Sequence, residues 1–143
     1  MNVAAILKQK GRAVTTAAVG DSVRTAAQLL ASNRIGAVVV IDAVGKVVGI
    51  LSERDIIREL AEQGPVCLDT SIAGVMTRAV VTCDEADTLD QLMALMTARR
   101  FRHLPVVMKG QLAGIISIGD VVKRHIADVE MEATAMREYI ATH

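Results

Sequence analysis

Two short stretches of the chain hold a hydroxyl and a carboxylate at one spacing. Gly49-Ile-Leu-Ser-Glu-Arg-Asp55 and Gly114-Ile-Ile-Ser-Ile-Gly-Asp120 each carry Gly-x-x-Ser-x-x-Asp, 65 positions apart. In one reading Ser52 and Ser117 cap helices, and Asp55 and Asp120 lie in first turns, where a carboxylate interacts favourably with the helix dipole. In the other reading the same geometry binds a ligand. The free amides and the hydroxyl receive a phosphate, and the aspartate accepts hydrogen bonds from a ribose diol, as an acidic residue does in dinucleotide folds. Neither Gly-x-x-x-x-Gly-Lys-Ser/Thr nor Gly-x-Gly-x-x-Gly occurs, so nucleotide hydrolysis has no visible machinery.

Arg102 and His103 follow Arg99 and Arg100 where the chain enters an apolar run. His103 reads either as a partly buried structural residue or, beside guanidinium groups, as part of an anionic-ligand pocket. The corresponding positions of the first stretch are Gly36-Ala37. The expectation is therefore two unequal sites, with Arg102-His103 beside Ser117 and Asp120 making the second the better phosphate site. Enzyme signatures are absent: His103, His125 and His143 have no metal-ligand spacing, and there is no Gly-x-Ser-x-Gly turn. Cys67 and Cys83 lie among small and apolar residues and read as reduced core thiols, with a redox pair or shared metal as the alternative.

The elements that must position these residues are duplicated. Val14–Val23 overlies Val80–Leu89 at an offset of 66, Asn33–Val40 overlies Arg99–Val106, and the offset falls to 65 after one extra residue in Asp42-Ala-Val-Gly45. A single insertion in a turn is what a hairpin tolerates. Each copy reads strand–helix–strand–strand–helix. Asp21 and Asp87 are expected helix caps. Val23, Ala26, Ala27 and Leu30, and Leu89, Leu92, Met93 and Met96, recur at spacings of three and four and so share one helix face. Ala37–Ile41 and Lys46–Leu51 form one hairpin, Leu104–Val107 and Gln111–Ile116 the other. Gly45 and Gly110 supply the positive φ of the turns, and Pro105 suits an edge or a strand start.

A half of roughly 50 residues buries little alone, so the predicted fold is α/β (α+β), with two pseudo-twofold repeats sharing one core. The expected division is 1–62, first repeat with an N-terminal helix broken by Gly11; 63–75, linker; 76–127, second repeat; and 128–143, a helical extension. On that extension Val129, Met136 and Ile140 lie on one stripe, which suggests docking onto another surface; a freely solvated tail is the alternative. Of 143 residues, 52% are hydrophobic and 22% charged, with 16 Lys+Arg against 16 Asp+Glu. A balanced charge does not indicate a nucleic-acid face. No apolar stretch reaches the roughly 20 residues of a membrane span, and Met1–Lys10 lacks the order of an export signal, so a cytoplasmic location is expected. A chain this apolar and neutral tends to self-associate.

Taken together, Val75-Met-Thr77, Asp87-Thr-Leu89, Arg102-His-Leu-Pro-Val106, Gly114–Asp120 and Gly49–Ile56 make the chain resemble a tandem pair of cystathionine-β-synthase (CBS) domains, a Bateman module, over about residues 5–127. The resemblance implies a homodimer whose clefts bind an adenosine-containing ligand (AMP, ADP, ATP or NAD, in some members S-adenosylmethionine) and which regulates a target, here a separate protein, without catalysis. Carried over by position, Asp55 and Asp120 hold ribose hydroxyls, Ser52 and Ser117 orient ribose or phosphate, and Thr16 and Thr82 meet adenine or sugar. Ala37, Val38, His103, Leu104 and Pro105 read the base, and Arg54, Arg102 and His103 meet phosphate. The alternative is a structural or protein-interaction module with idle clefts.

Overall fold

The computed structural model describes residues 1–143. The first repeat runs through β1 (Thr16–Ala18), α2 (Val23–Asn33), β2 (Ala37–Ile41), β3 (Val47–Ser52) and α3 (Glu53–Gln63), after a leading helix α1 (Val3–Lys10). Two 3₁₀ turns, Pro65–Asp69 and Ile72–Gly74, lead to the second repeat: α4 (Leu89–Arg99), β4 (His103–Met108), β5 (Gln111–Ser117) and α5 (Ile118–Thr142). The mixed α+β duplication is as expected.

Local chemistry accounts for most boundaries. α1 ends at Gly11, whose φ is 101°, and the hairpin turns place Gly45 and Gly110 at φ 83° and 78°. The expected caps are off by one residue. Ser22 and Thr88 cap α2 and α4, each hydroxyl accepting the amide three residues on. Asp21 and Asp87 instead brace the preceding turn, accepting the amides of Ala18 and Asp84.

The two sheets differ. β1 runs parallel to β2, and β2 antiparallel to β3. β4 and β5 pair antiparallel, but the expected first strand of the second repeat shrinks to one parallel bridge, Cys83 with Val106. Pro105 supplies the reason. In the first repeat the Val39 amide reaches the Thr15 carbonyl at 3.4 Å. Val39 corresponds to Pro105 and Thr15 to Val81, and proline has no N–H to extend the ladder. Cys83 holds what remains, donating to the Pro105 carbonyl at 2.9 Å and accepting from the Val107 amide at 3.0 Å.

The expected shared core divides into two apolar clusters, one built around each sheet. The segment leading into each repeat fills the core of the other. α1 places Val3, Ile6 and Leu7 among Leu92, Leu104 and Ile116 of the second repeat. Ile72 and Met76 pack with Val38, Leu51 and Ile56 of the first. Backbone bonds tie each arm down: Val3 to Asp87 and Leu89 to Met1 at one end, Ile72 to Asp21 and Val23 to Thr70 at the other. The arms also explain Gly49 and Gly114. A β-carbon on Gly114 would stand 2.7 Å from Leu7, and one on Gly49 would overlap Met76. No helix is long and apolar enough to cross a membrane.

Candidate functional site

Each Ser-x-x-Asp is a full capping box at a strand-to-helix junction. Ser52 Oγ accepts the Asp55 amide at 3.3 Å, while Asp55 Oδ2 accepts from the Ser52 amide at 2.9 Å and hydroxyl at 3.0 Å. Ser117 and Asp120 repeat these bonds at 3.2, 2.8 and 2.9 Å. The local role is thus met twice, and in both copies a single carboxylate oxygen does it.

The surroundings separate the copies. Asp55 opens onto a cavity of about 210 Å³ between the repeats. The first repeat contributes Gly36, Ala37, Ile50, Ser52, Glu53 and Arg54, and the segment after the linker adds Thr77, Ala79, Val80 and Val81. From the second repeat come Arg100, Phe101, Arg102 and His103. Arg100 caps α4 in the left-handed region, at φ 58°, and turns the chain into this wall. The other oxygen of Asp55, Oδ1, pairs with the exposed Arg58 guanidinium at 3.6 Å.

Asp120 faces a different neighbour. Lys10, at the end of α1, sets its ammonium 2.5 Å from Asp120 Oδ2 and 2.9 Å from the Ile115 carbonyl. Burial pushes the Asp120 carboxyl up, but hydrogen bonds from Lys10 and from the Ser117 amide and hydroxyl outweigh it and hold the group below its ordinary range. The space beside it, about 160 Å³, is lined by α1 and α5 residues including Ile6, Lys10 and Lys123, with neither Arg102 nor His103.

The expected neighbourhood is kept in part: His103 lies opposite Ser117 in the β4–β5 register and within electrostatic reach of Asp120, but the cavity that Arg102 and His103 line is the one that holds Asp55. The His103 ring lies beside Gly36, where a β-carbon would meet it in van der Waals contact at 3.4 Å, so the Gly36-Ala37 stretch of the first repeat borrows its imidazole from the second. Burial first, then Lys10, lowers the His103 pKa, with Glu53 and Asp120 opposing and Arg102 adding to the effect. Near neutral pH the ring is uncharged, and Arg54, Arg100 and Arg102 carry the positive charge of the cavity.

Of the residues singled out in the sequence, Ala37, Ser52, Arg54, Asp55, Arg102 and His103 meet here. Val38 and Leu104 do not; both are fully buried in the two cores. Pro105 is buried, with its carbonyl given to Cys83. Thr16 pairs with Val39 from the edge strand β1, Thr82 is exposed off the cavity, and Ser117 and Asp120 lie on the Lys10 side. Thr77, Val80, Val81 and Phe101 were missed: the first three reach the cavity because the leading segments are exchanged between repeats, and Phe101 because it lies in the α4–β4 turn beside Arg102. Both thiols are buried and unpaired, and burial, then Asp87 and Asp84, pushes Cys83 up to about 12. No cluster of three or more His, Cys, Asp or Glu side chains is arranged to hold a metal ion.

Comparison with known proteins decides the family. The CBS domain family matches twice, over residues 11–62 and 72–126. The chain belongs to the CBS domain family. This CBS pair is similar to the CBS-domain containing protein ATU1752 from Agrobacterium tumefaciens, at 51% identity over 85% of this chain and 91% of that one, with a TM-score of 0.83. It also resembles PAE2072 from Pyrobaculum aerophilum, solved with AMP, at 28% identity, 84% and 89% coverage and a TM-score of 0.76. The CBS domain pair of protein MJ0100, solved with 5′-methylthioadenosine and S-adenosyl-L-methionine, matches at 27% identity, 90% and 98% coverage and a TM-score of 0.79. Among curated relatives the matched region spans 69%, 33% and 61% of the length of three of them.

Proposed function

We propose that this CBS pair is a non-catalytic regulatory module that binds an adenosine mononucleotide in the cavity between its repeats and acts on a separate protein. The observation that carries the reading is the convergence of Asp55 with Arg54, Arg100 and Arg102 on one cavity. Asp55 turns Oδ1, which only Arg58 approaches, at 3.6 Å, to the ribose diol, and the guanidinium groups meet phosphate through charge-assisted bonds. Ala37, Val80 and Phe101 form the apolar wall for the base. Val81 lines the same wall, and its carbonyl accepts no hydrogen bond from the protein, which suits an exocyclic amine. The cavity of about 210 Å³ lies below the ~300–1,000 Å³ of drug-sized sites, so AMP, the smallest of AMP, ADP, ATP and NAD, is the ligand to test first. The relatives solved with AMP and with S-adenosylmethionine support the ligand class.

The working unit is a homodimer, supported by exposed Ile57, Val122 and Ile126 on α3 and α5. Unpaired Cys67 and Cys83 agree with a reducing compartment such as the cytoplasm. The second reading, an interaction module with idle clefts, draws on the capping boxes, which already give both Ser-x-x-Asp sequences a structural use. Calorimetry on the ligand-stripped chain separates the two. AMP is expected to bind once per chain, and Asp55→Ala to weaken it by roughly 1–3 kcal/mol, the scale of a charged hydrogen bond. Asp120→Ala loses the same capping box and controls for helix damage; its AMP affinity should hold. If no AMP, ADP, ATP or NAD binds at millimolar ligand, the interaction module is the correct reading.

A further inference from the structure

The last helix carries a pattern that neither the fold nor the cavity uses. Val122, Ile126, Val129, Ala133, Met136 and Ile140 follow one another at spacings of 4, 3, 4, 3 and 4, which is a heptad repeat. All six lie on α5, and five of them are large side chains left exposed, from Val122 at 49% to Ile140 at 66%. Val121, the α5 side chain buried in the core, lies about 100° around the helix from Val122, so the stripe is not the face that packs on the body.

We propose that residues 122–140 form a parallel, in-register two-stranded coiled coil with a second copy of this chain; the inference rests on, and deepens, the dimer reading above. In this register Ile126, Ala133 and Ile140 occupy a positions and Val122, Val129 and Met136 d positions. Ile126 and Ile140 at a, with unbranched Met136 at d, suit a two-stranded pair, a preference that Val122 and Val129 at d do not add to. The flanking charges choose the direction. In a parallel pair each g residue faces the e′ residue five positions on, so Glu132 meets Arg137 and His125 meets Glu130 of the other copy. In the fully overlapping antiparallel register Glu130 would face Glu130, Glu132 would face Glu132 and Lys123 would face Arg137, like charge against like on both flanks.

The seam is shorter than the three to four heptads that identify a free-standing coiled coil. It does not have to nucleate alone, because the Ser117 cap and buried Val121 hold the start of α5 on the body. Parallel pairing also dictates how the bodies meet, second repeat beside second repeat and first beside first.

The test uses the full chain with Met136→Cys, oxidised mildly and run without reductant, beside Glu138→Cys on the outer f position and the unmodified chain, whose Cys67 and Cys83 are buried. A disulfide needs Cα atoms about 4.4–6.8 Å apart, a separation reached by position 136 in a parallel, in-register pair and not by position 138. The expected result is that most Met136→Cys chains become a covalent dimer within the time that few Glu138→Cys chains do. Equal cross-linking, or none, at the two positions overturns the proposal. Sedimentation equilibrium of the unmodified chain tells the failures apart: a dimer without selective cross-linking pairs elsewhere and keeps the dimer reading, whereas a monomer removes both.

Discussion

The Asp55 and Asp120 sides share one capping geometry and differ in the arm that reaches them. The segment after the linker anchors on the first repeat through Met76 and through paired Thr77–Ile50 backbone bonds, and then runs along the cavity wall without presenting a cation to Asp55. α1 anchors on the second repeat through Leu7 and ends in Lys10, which neutralises Asp120. Two near-identical motifs thus reach different electrostatic states because of residues distant in sequence. A duplicated motif sets the helix start, and the neighbouring arm sets what that start can receive.

The largest effect should come from the arm anchors. Gly114→Ala drives a methyl into the branched end of Leu7, with both δ carbons within 3.0 Å, and should cost about 1–3 kcal/mol, as overpacking does. Gly49→Ala meets Met76, whose thioether chain can swing aside, so its loss should be smaller. Urea midpoints read both; a Gly49→Ala loss equal to that of Gly114→Ala would make the two arms mechanically equivalent and break this part of the contrast.

Next in size is the latch. Lys10→Ala should cost less than about 1 kcal/mol, since the pair is partly exposed, while freeing Asp120 to bind a second, weaker AMP by calorimetry. An unchanged stoichiometry would mean that Lys10 is not what separates the sides. The same variant tests the acid limb. Asp120 has a lowered folded pKa, so its contribution is present above the ordinary carboxylate value of about 3.9 and is lost as pH falls through the lower, folded one. That loss should be shallower without Lys10.

The smallest effect concerns His103. Its folded pKa is depressed, chiefly by burial and then by Lys10, so the unfolded chain takes up the proton first. Stability should decline as pH drops from about 6.5 through the folded value, and His103→Asn should flatten that slope in thermal melts. An unchanged slope would place the titration elsewhere and leave the imidazole as packing against Gly36.

Much of this was legible in residue order, because its causes are short-range. Ser52 and Ser117 cap the next turn, Gly45 and Gly110 close their hairpins, and the apolar spacing of α2 and α4 names the buried side chains Val23, Leu30, Leu92 and Met96. Pro105 carried the loss of the first strand in plain view, through its missing N–H. The cavity was not legible in the same way. Asp55 gains Arg102 and His103 from the other repeat, and Asp120 gains Lys10 across 110 positions. Such contacts depend on how two whole sheets and their exchanged arms dock, which no local preference encodes. Residue order alone specifies the duplicated unit, its helix starts and its turns; the docking of sheets and arms chooses which aspartate faces an open cavity and which is held by a lysine, because electrostatic partners follow distance in space.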